Sequence, residues 1–307
     1  MAAKKLKEIR RAVVHWLVYI AAKAGLWLGG CLPDEWVHKA GETTGRLAFR
    51  LVGRERRKAM AGLAIAFSRD GKSLAELENI AVSNFRHLGR SFFELAGFYR
   101  SGPSKLSSHI HVEGLEHMDN ALGQGQGVIL VTAHLGNWEL FAYHMASLGY
   151  PVTVVARQIS NEKVNQLILD LRERHGVQTV LRKKRGHVQK GILKTLRENR
   201  ILGILMDQDT HTEGVFVDFF GRPAYTPSGA VILSLKTGAP ILPGFITRSG
   251  DGSHRIQILP QVKLYNGPNQ EETIRLNTQY ISNIIESYVR QYPEQWVWMH
   301  RRWKTQP

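Results

Sequence analysis

The stretch GVILVTAHLGNWEL (residues 127–140) decides how this chain is read. Val128–Thr132 is a continuous apolar run, the mark of a strand covered on both faces. Gly136 and Asn137 follow as a turn with a helix N-cap residue, and Trp138-Glu139-Leu140 opens a helix. A buried strand running straight into a helix is half of a strand–helix–strand unit, and the pattern repeats downstream. Further strands are expected at Val152–Ala156, Thr179–Leu181, Ile201–Met206, Ile241–Ile246 and Ile256–Leu259. Helices are expected near 138–148, 161–175, 187–198, 228–237 and 270–291. The fold class is therefore α/β, a largely parallel central sheet flanked by helices and joined by right-handed crossovers. Ligands of such sheets bind beyond the carboxyl ends of the strands. His134, after the first of these strands, and Asp207, after the fourth, stand there.

Upstream, residues 34–100 carry apolar positions at helical spacing with few β-branched residues, and Gly102-Pro103 punctuates their end. Before them the basic segment KKLKEIRR (4–11) leads into AVVHWLVYIAAKAGLWLGGCL (12–32), broken only by His15 and Lys23. As a helix that run spans roughly 30 Å, about one hydrocarbon core. Trp16, Tyr19 and Trp27 suit a headgroup boundary. A buried core helix is one alternative. A cleaved signal peptide is another, since Leu28-Gly29-Gly30-Cys31 looks like a lipoprotein processing site. Lys23 speaks against processing and is tolerable in an anchor if it snorkels. The expectation is a retained membrane-anchor helix, spanning or lying in the interface. Both flanks are basic, Arg46, Arg50, Arg54, Arg56, Arg57 and Lys58 following the run, so charge assigns no topology. The chain thus divides into an anchor segment (1–33) and one domain (34–307), itself a helical lead-in (34–100) and an α/β core (101–307).

The composition, 43% hydrophobic and 22% charged with no repeat or low-complexity tract, is that of a globular protein. Lys and Arg number 41 against 26 Asp and Glu, a net charge of +15. Such a field draws anionic partners: nucleic acid, an anionic membrane, phosphorylated lipid or an acidic carrier protein. A non-enzymatic basic module binding membrane or nucleic acid is the distant alternative. No helix-turn-helix, RNP-like, KH or zinc signature appears, and the basic residues are scattered, so no nucleic-acid partner is expected. Cys31 is the only cysteine, which excludes an intrachain disulfide and a cysteine-rich zinc site.

A histidine and a carboxylate five positions apart, as in His134 and Glu139, arise by chance in a chain with 13 histidines and 26 acidic residues. His111 and Glu116 form a second such pair. His111 lies in an alternating segment and reads as an ordinary edge-strand histidine. His134 differs by context, in the turn between a buried strand and a helix. Within one helix, positions i and i+5 lie about 140° apart; with His134 in the turn and Glu139 in the first helical turn, the side chains can converge. A hydroxyl acting as a nucleophile needs a base poised near neutral pH. A carboxylate on the other imidazole nitrogen fixes the tautomer and stabilises the imidazolium. An anionic intermediate at an attacked carbonyl needs donors from backbone N–H groups or an Arg. No enzyme nucleophile is required, and no G-x-S-x-G elbow is present.

These residues resemble those of the bacterial lipid A biosynthesis (late, or secondary) acyltransferases, within the lysophospholipid acyltransferase-like superfamily. The likeness runs from about residue 85 to the end, through Thr132-Ala-His134-Leu-Gly-Asn-Trp-Glu139, Met206-Asp-Gln-Asp209, Val215-Phe-Val-Asp-Phe-Phe-Gly221, Thr237-Gly-Ala-Pro240 and Pro293-Glu-Gln-Trp-Val-Trp-Met-His-Arg-Arg-Trp-Lys304. It implies transfer of a fatty acyl group from acyl carrier protein to a hydroxyl of a lipid A precursor. It implies a location at the inner membrane, with the catalytic domain on the cytoplasmic face. The roles it implies are His134 as base, Glu139 as its carboxylate partner, and Arg172, with Arg174 as neighbour, and Asp207 as supporting groups. No metal or organic cofactor is implied. In Arg54–Asp70, Gly62-Leu63 and Phe67-Ser68 stand where the family pattern has Asn-Leu and Phe-Pro, a departure that bears on the acceptor. Glycerol phosphate, a lysophospholipid or another glycolipid is the alternative acceptor.

Asn137 is a further candidate for substrate or transition-state support. Phe216, Phe219 and Phe220 are candidates for an acyl-chain slot or for packing. His300, Arg301 and Arg302 are candidates for contact with lipid phosphates or the acidic carrier. Lys183, Lys184 and Arg185 form a compact basic run that suits carrier docking.

Overall fold

The computed structural model of the chain describes residues 2–31, 33–101, 109–182, 187–210 and 212–307. The N-terminal helices are α1 (Ala2–Cys31), α2 (Asp34–Leu51), α3 (Gly53–Ala66) and α4 (Leu74–Ser101). The α/β part begins with β1 (Ile110–Glu113), α5 (Leu115–Leu122), β2 (Val128–Thr132), α6 (Trp138–Ser147) and β3 (Val152–Arg157). It continues with α7 (Glu162–Arg174), β4 (Gln178–Arg182), α8 (His187–Arg197) and β5 (Ile201–Leu205). The hairpin β6 (Gly214–Phe219) and β7 (Arg222–Pro227) precedes α9 (Gly229–Thr237), β8 (Ile241–Arg248), β9 (His254–Ile258) and α10 (Gln270–Gln291). A 3-10 turn at Pro293–Gln295 starts the closing segment.

Seven strands form one sheet in the order β1-β9-β8-β2-β5-β3-β4. The five from β8 to β4 run parallel; β9 is antiparallel to β8, and β1 pairs with β9, so one edge runs in reverse. The fold is thus α/β with a mostly parallel sheet. Every residue of β2 is buried, and the pleat sends alternate side chains to two cores. Ile129 and Val131 pack with Leu202, Phe245 and the closing tryptophans. Val128 and Leu130 pack with Leu140, Met118 and Ile256. The hairpin is absent from the expected strands: paired phenylalanines and Pro223 and Pro227 break its alternation, and it stands as a separate two-stranded sheet.

One irregularity shapes the site. β3 pairs with β5 only over Val152–Val154, the last match being Val154 with Gly203. Beyond it β3 continues to Arg157 paired with β4 alone. The sheet is open at its carboxyl end between β5 and β3.

The helical lead-in is three helices. α2 crosses α4 in close approach at Gly45 and Gly89, where a Cβ would come within about 2.3 Å of the Phe85 carbonyl and about 2.1 Å of the Gly41 carbonyl respectively. α1 contains the stretch Ile9–Cys31, long and apolar enough to cross a membrane. It rests on α4, with Gly29 against Ala96 and Phe93, and Asn161 Nδ2 donates to the His15 carbonyl at 2.7 Å. Its other faces leave Val13, Trp16, Leu17, Ile20 and Trp27 exposed, Trp27 at 65%. The stretch is mostly unburied, so the helix is not a core helix, and its exposed apolar face suits a membrane.

Candidate active site

Strand register brings the two strand-end residues together. Thr132 on β2 faces Leu205 on β5, so two residues on, His134 and Asp207 emerge side by side. Asp207 is fully enclosed and accepts three hydrogen bonds. His134 Nδ1 lies 2.8 Å from Oδ1, the His134 backbone N–H donates to Oδ2 at 2.9 Å, and Trp296 Nε1 donates to Oδ2 at 2.7 Å. Burial alone would raise the Asp207 pKa, but His134 and these hydrogen bonds outweigh it and hold the carboxyl below its usual range. An ionised carboxylate only accepts, so Nδ1 carries a proton, and in the neutral imidazole Nε2 is then the acceptor. The imidazole touches Trp138 edge-on, with ring centroids 5.1 Å apart.

Glu139 is therefore not the partner of His134, and the expected pairing is corrected. Glu139 sits in the first turn of α6 and is engaged from the other side by Arg172 on α7. Nε donates to Oε2 at 2.9 Å and Nη2 to Oε1 at 2.5 Å, a bidentate fork. Burial and the Glu139 charge push the nearby Tyr143 phenol up. His134, Glu139 and Arg172 all line one cavity of about 840 Å³. It lies at the opening between β5 and β3, and most of its wall is apolar, with Val154, Ile168, Leu169, Leu193, Ile232 and Leu233. Arg174 is exposed and does not line it.

The Asp207-Gln208-Asp209 run divides its labour. Asp209 accepts from the Thr305 backbone N–H at 2.9 Å and lies 3.5 Å from Lys304 Nζ; His300 Nε2 contacts the Asp209 carbonyl at 3.1 Å. His300 and Lys304 thereby line the cavity, and burial lowers the His300 pKa. Arg301 is exposed. Arg302 is 1% exposed: it donates to the Tyr225 carbonyl at 2.6 Å and to Thr226 Oγ1, and lies over the Phe219 ring at 5.0 Å. Burial lowers its pKa to about 10. Arg302 is a core residue and not a surface contact for lipid or carrier. Of the two readings for Phe219 and Phe220, packing is the one seen: they are buried among Trp296, Trp298 and Trp303. Phe216 packs edge-on against Tyr225 and does not line the cavity. Lys183, Lys184 and Arg185 lie outside the described residues.

The turn that carries His134 is clamped from both sides. Gly136 has φ +62° and a Cβ there would meet the Ile246 carbonyl at 1.9 Å, so only glycine fits. The Gly136 N–H donates to the Gln295 carbonyl, and the His134 carbonyl accepts from Val297. Asn137 is not a substrate group: buried, it caps α6 and donates from Nδ2 to Glu94 Oε2 at 3.0 Å. Glu94 belongs to a buried polar cluster that the sequence reading missed. Arg248 Nη2 donates to Glu94 Oε2 at 2.6 Å, Nε to Oε1 at 3.1 Å, and Nη1 to His87 Nδ1 at 2.7 Å. Burial raises the Glu94 pKa, but Arg248 overrides it and holds it well below the carboxylate range. Burial and Arg248 push His87 down to about 3. The available signal was local: Glu94 inside an apolar helix face and Arg248 ending a largely apolar strand are charges that burial forces to pair.

A mostly parallel sheet with a buried carboxylate–histidine pair at its carboxyl edge, beside a largely apolar cavity, is the architecture of an α/β enzyme. The chain belongs to the bacterial lipid A biosynthesis acyltransferase family, whose family model matches residues 3–305. It is 28% identical over 305 residues to a phosphatidylinositol mannoside acyltransferase of Mycobacterium tuberculosis, covering 97% of this chain and 92% of that one. It is also 28% identical to the lipid A biosynthesis palmitoleoyltransferase of Escherichia coli, covering 95% and 92%. The lauroyltransferase of the same organism is 26% identical, with 98% and 97% covered. The protein is an acyltransferase, and its apolar N-terminal helix and these relatives suggest membrane association.

Proposed function

We propose that this protein transfers a fatty acyl group from the thioester of acyl carrier protein to a hydroxyl of a lipid A precursor, at the cytoplasmic face of the inner membrane. The observation that carries the reading is His134 Nε2 left free over an apolar cavity by Asp207 on Nδ1. Nε2 takes the proton of the acceptor hydroxyl as its oxygen attacks the thioester carbonyl. Asp207 stabilises the resulting imidazolium. Arg172, with Nε and Nη2 held by Glu139, keeps Nη1 for the oxyanion of the tetrahedral intermediate. Collapse expels the carrier thiolate, which recovers the proton from Nε2, leaving an ester and a free thiol. The apolar wall takes the acyl chain, and α1 keeps the acceptor's membrane within reach.

The acceptor has a second reading, a phosphatidylinositol mannoside-type glycolipid. It is favoured by equal 28% identity to relatives of both names and by the departures at Gly62-Leu63 and Phe67-Ser68. The test is transfer of a labelled acyl group from acyl carrier protein to each acceptor, wild type beside His134→Ala. Transfer to one acceptor, lost in the mutant, is the expected result. Retained turnover in His134→Ala sinks the mechanism. Absent wild-type transfer to either acceptor sinks the substrate assignment.

A further inference from the structure

Arg157 and Arg182 are the last residues of β3 and β4 and face each other in parallel register. Both line the cavity. Like charges placed opposite one another on neighbouring strands are unfavourable. Among the described residues neither guanidinium makes a hydrogen bond or an ion pair. The acids of the cavity are engaged elsewhere or apart: Glu139 holds Arg172 and Asp209 holds Lys304, while Glu213 makes no ion pair with either arginine. Burial and the Arg157 charge both lower the Arg182 pKa, the sign of a cation without a counter-ion. Two forks on adjacent strand ends, beyond the carboxyl edge where α/β sheets take ligands, suit a doubly or singly charged tetrahedral anion.

We propose that Arg157 and Arg182 form a phosphate-ester subsite at the rim of the acyl cavity, separate from the reacting atoms. β3 and β4 are two and three strand spacings from β2, which delivers His134, so a phosphate held between them lies roughly 12 Å along the sheet from the base. The inference rests on the acyl-transfer reading, since both proposed substrates carry phosphate. The donor has the phosphodiester that links its thiol arm to the carrier. The acceptor has a glycolipid phosphate. The recognised chemistry is the same, a phosphate ester presented while the acyl chain occupies the apolar wall.

Calorimetric titration of the full chain at low salt tests it without requiring turnover. The donor-side probes are phosphopantetheine and pantetheine. The acceptor-side probes are glucose 1-phosphate and glucose. Wild type is expected to prefer the phosphorylated member of one pair by at least about tenfold, the yield of one charge-assisted contact. The responding pair names the source. R157Q/R182Q should abolish that preference, and R157K/R182K should retain part of it. Arg157 is exposed, so the single variant Arg157→Gln keeps the fold and should lose part of the preference if the double variant unfolds. No preference in either wild-type pair overturns the subsite, as does a preference unchanged in the variants. Inorganic phosphate competing as well as the better ester would reduce it to a general anion site and overturn it too. Wild type that fails to transfer acyl groups would refute the proposed reaction and leave this binding result standing.

Discussion

Replacing Asp207 with Asn separates the two carboxylates that flank the reaction centre. Asp207 accepts from His134 Nδ1, the His134 backbone and Trp296. An amide of the same shape can accept on one side only. Its NH2 group, turned toward Nδ1, favours the tautomer that protonates Nε2 and so blocks the base. The imidazolium also loses its counter-charge. Charge-assisted hydrogen bonds contribute about 1.5–3 kcal/mol each, and in a Ser-His-Asp arrangement the equivalent change costs about 10⁴ in rate. Together the losses amount to about 3–5 kcal/mol of transition-state stabilisation, a fall of about 10²–10⁴-fold in kcat. The assay is labelled acyl transfer at saturating donor, with circular dichroism to establish that the fold persists. Glu139→Gln should act through Arg172, so Glu139→Gln and Arg172→Met should be strongly non-additive, whereas Glu139→Gln and Asp207→Asn should combine more nearly independently. A kcat for Asp207→Asn within about threefold of wild type, under about 0.7 kcal/mol, refutes the assignment of Asp207 as the orienting carboxylate.

Gly136→Ala should lower the melting temperature and abolish activity, because the left-handed φ costs about 1–2 kcal/mol and the Cβ collides with the Ile246 carbonyl; a variant melting like wild type contradicts the clamped turn. Arg302→Met should cost about 2–4 kcal/mol in denaturant unfolding, since charged hydrogen bonds to Tyr225 and Thr226 are lost from the core, while KM for donor and acceptor stays unchanged in the folded fraction. Stability should fall with acid between pH 6.5 and 3, because His87 is held neutral when folded, near 3, and takes up a proton when unfolded; its contribution is present above 6.5 and is lost as pH falls, at about 1.4 kcal/mol per pH unit. His87→Gln should flatten that slope in urea melts from pH 6.5 to 5, and an unchanged slope assigns it to the other histidines that burial depresses, among them His144 and His175.

Much of the architecture follows from local pattern. The apolar run at β2 can only be covered on both faces, and its abrupt passage through Gly136-Asn137 into a helix announces a parallel sheet. α6, α7, α8, α9 and α10 fall within a residue of their expected ranges because apolar spacing and N-cap residues are local signals. His134 and Asp207 were each legible as strand-end positions for the same reason. Pairing was another matter. Glu139, five residues from His134, looked like its partner, yet Asp207, 73 residues away in the chain, occupies Nδ1. The register between β2 and β5 decides this, and register depends on how the intervening crossovers pack. The opening between β5 and β3, and with it the cavity, belongs to the same tertiary level. So do Glu94 with Arg248 and the burial of Arg302 under Phe219. Residue type and spacing along the chain state which side chains reach the sheet's carboxyl edge. Which of them touch is set by long-range packing, since hydrogen bonds and ion pairs are satisfied across space and not along sequence.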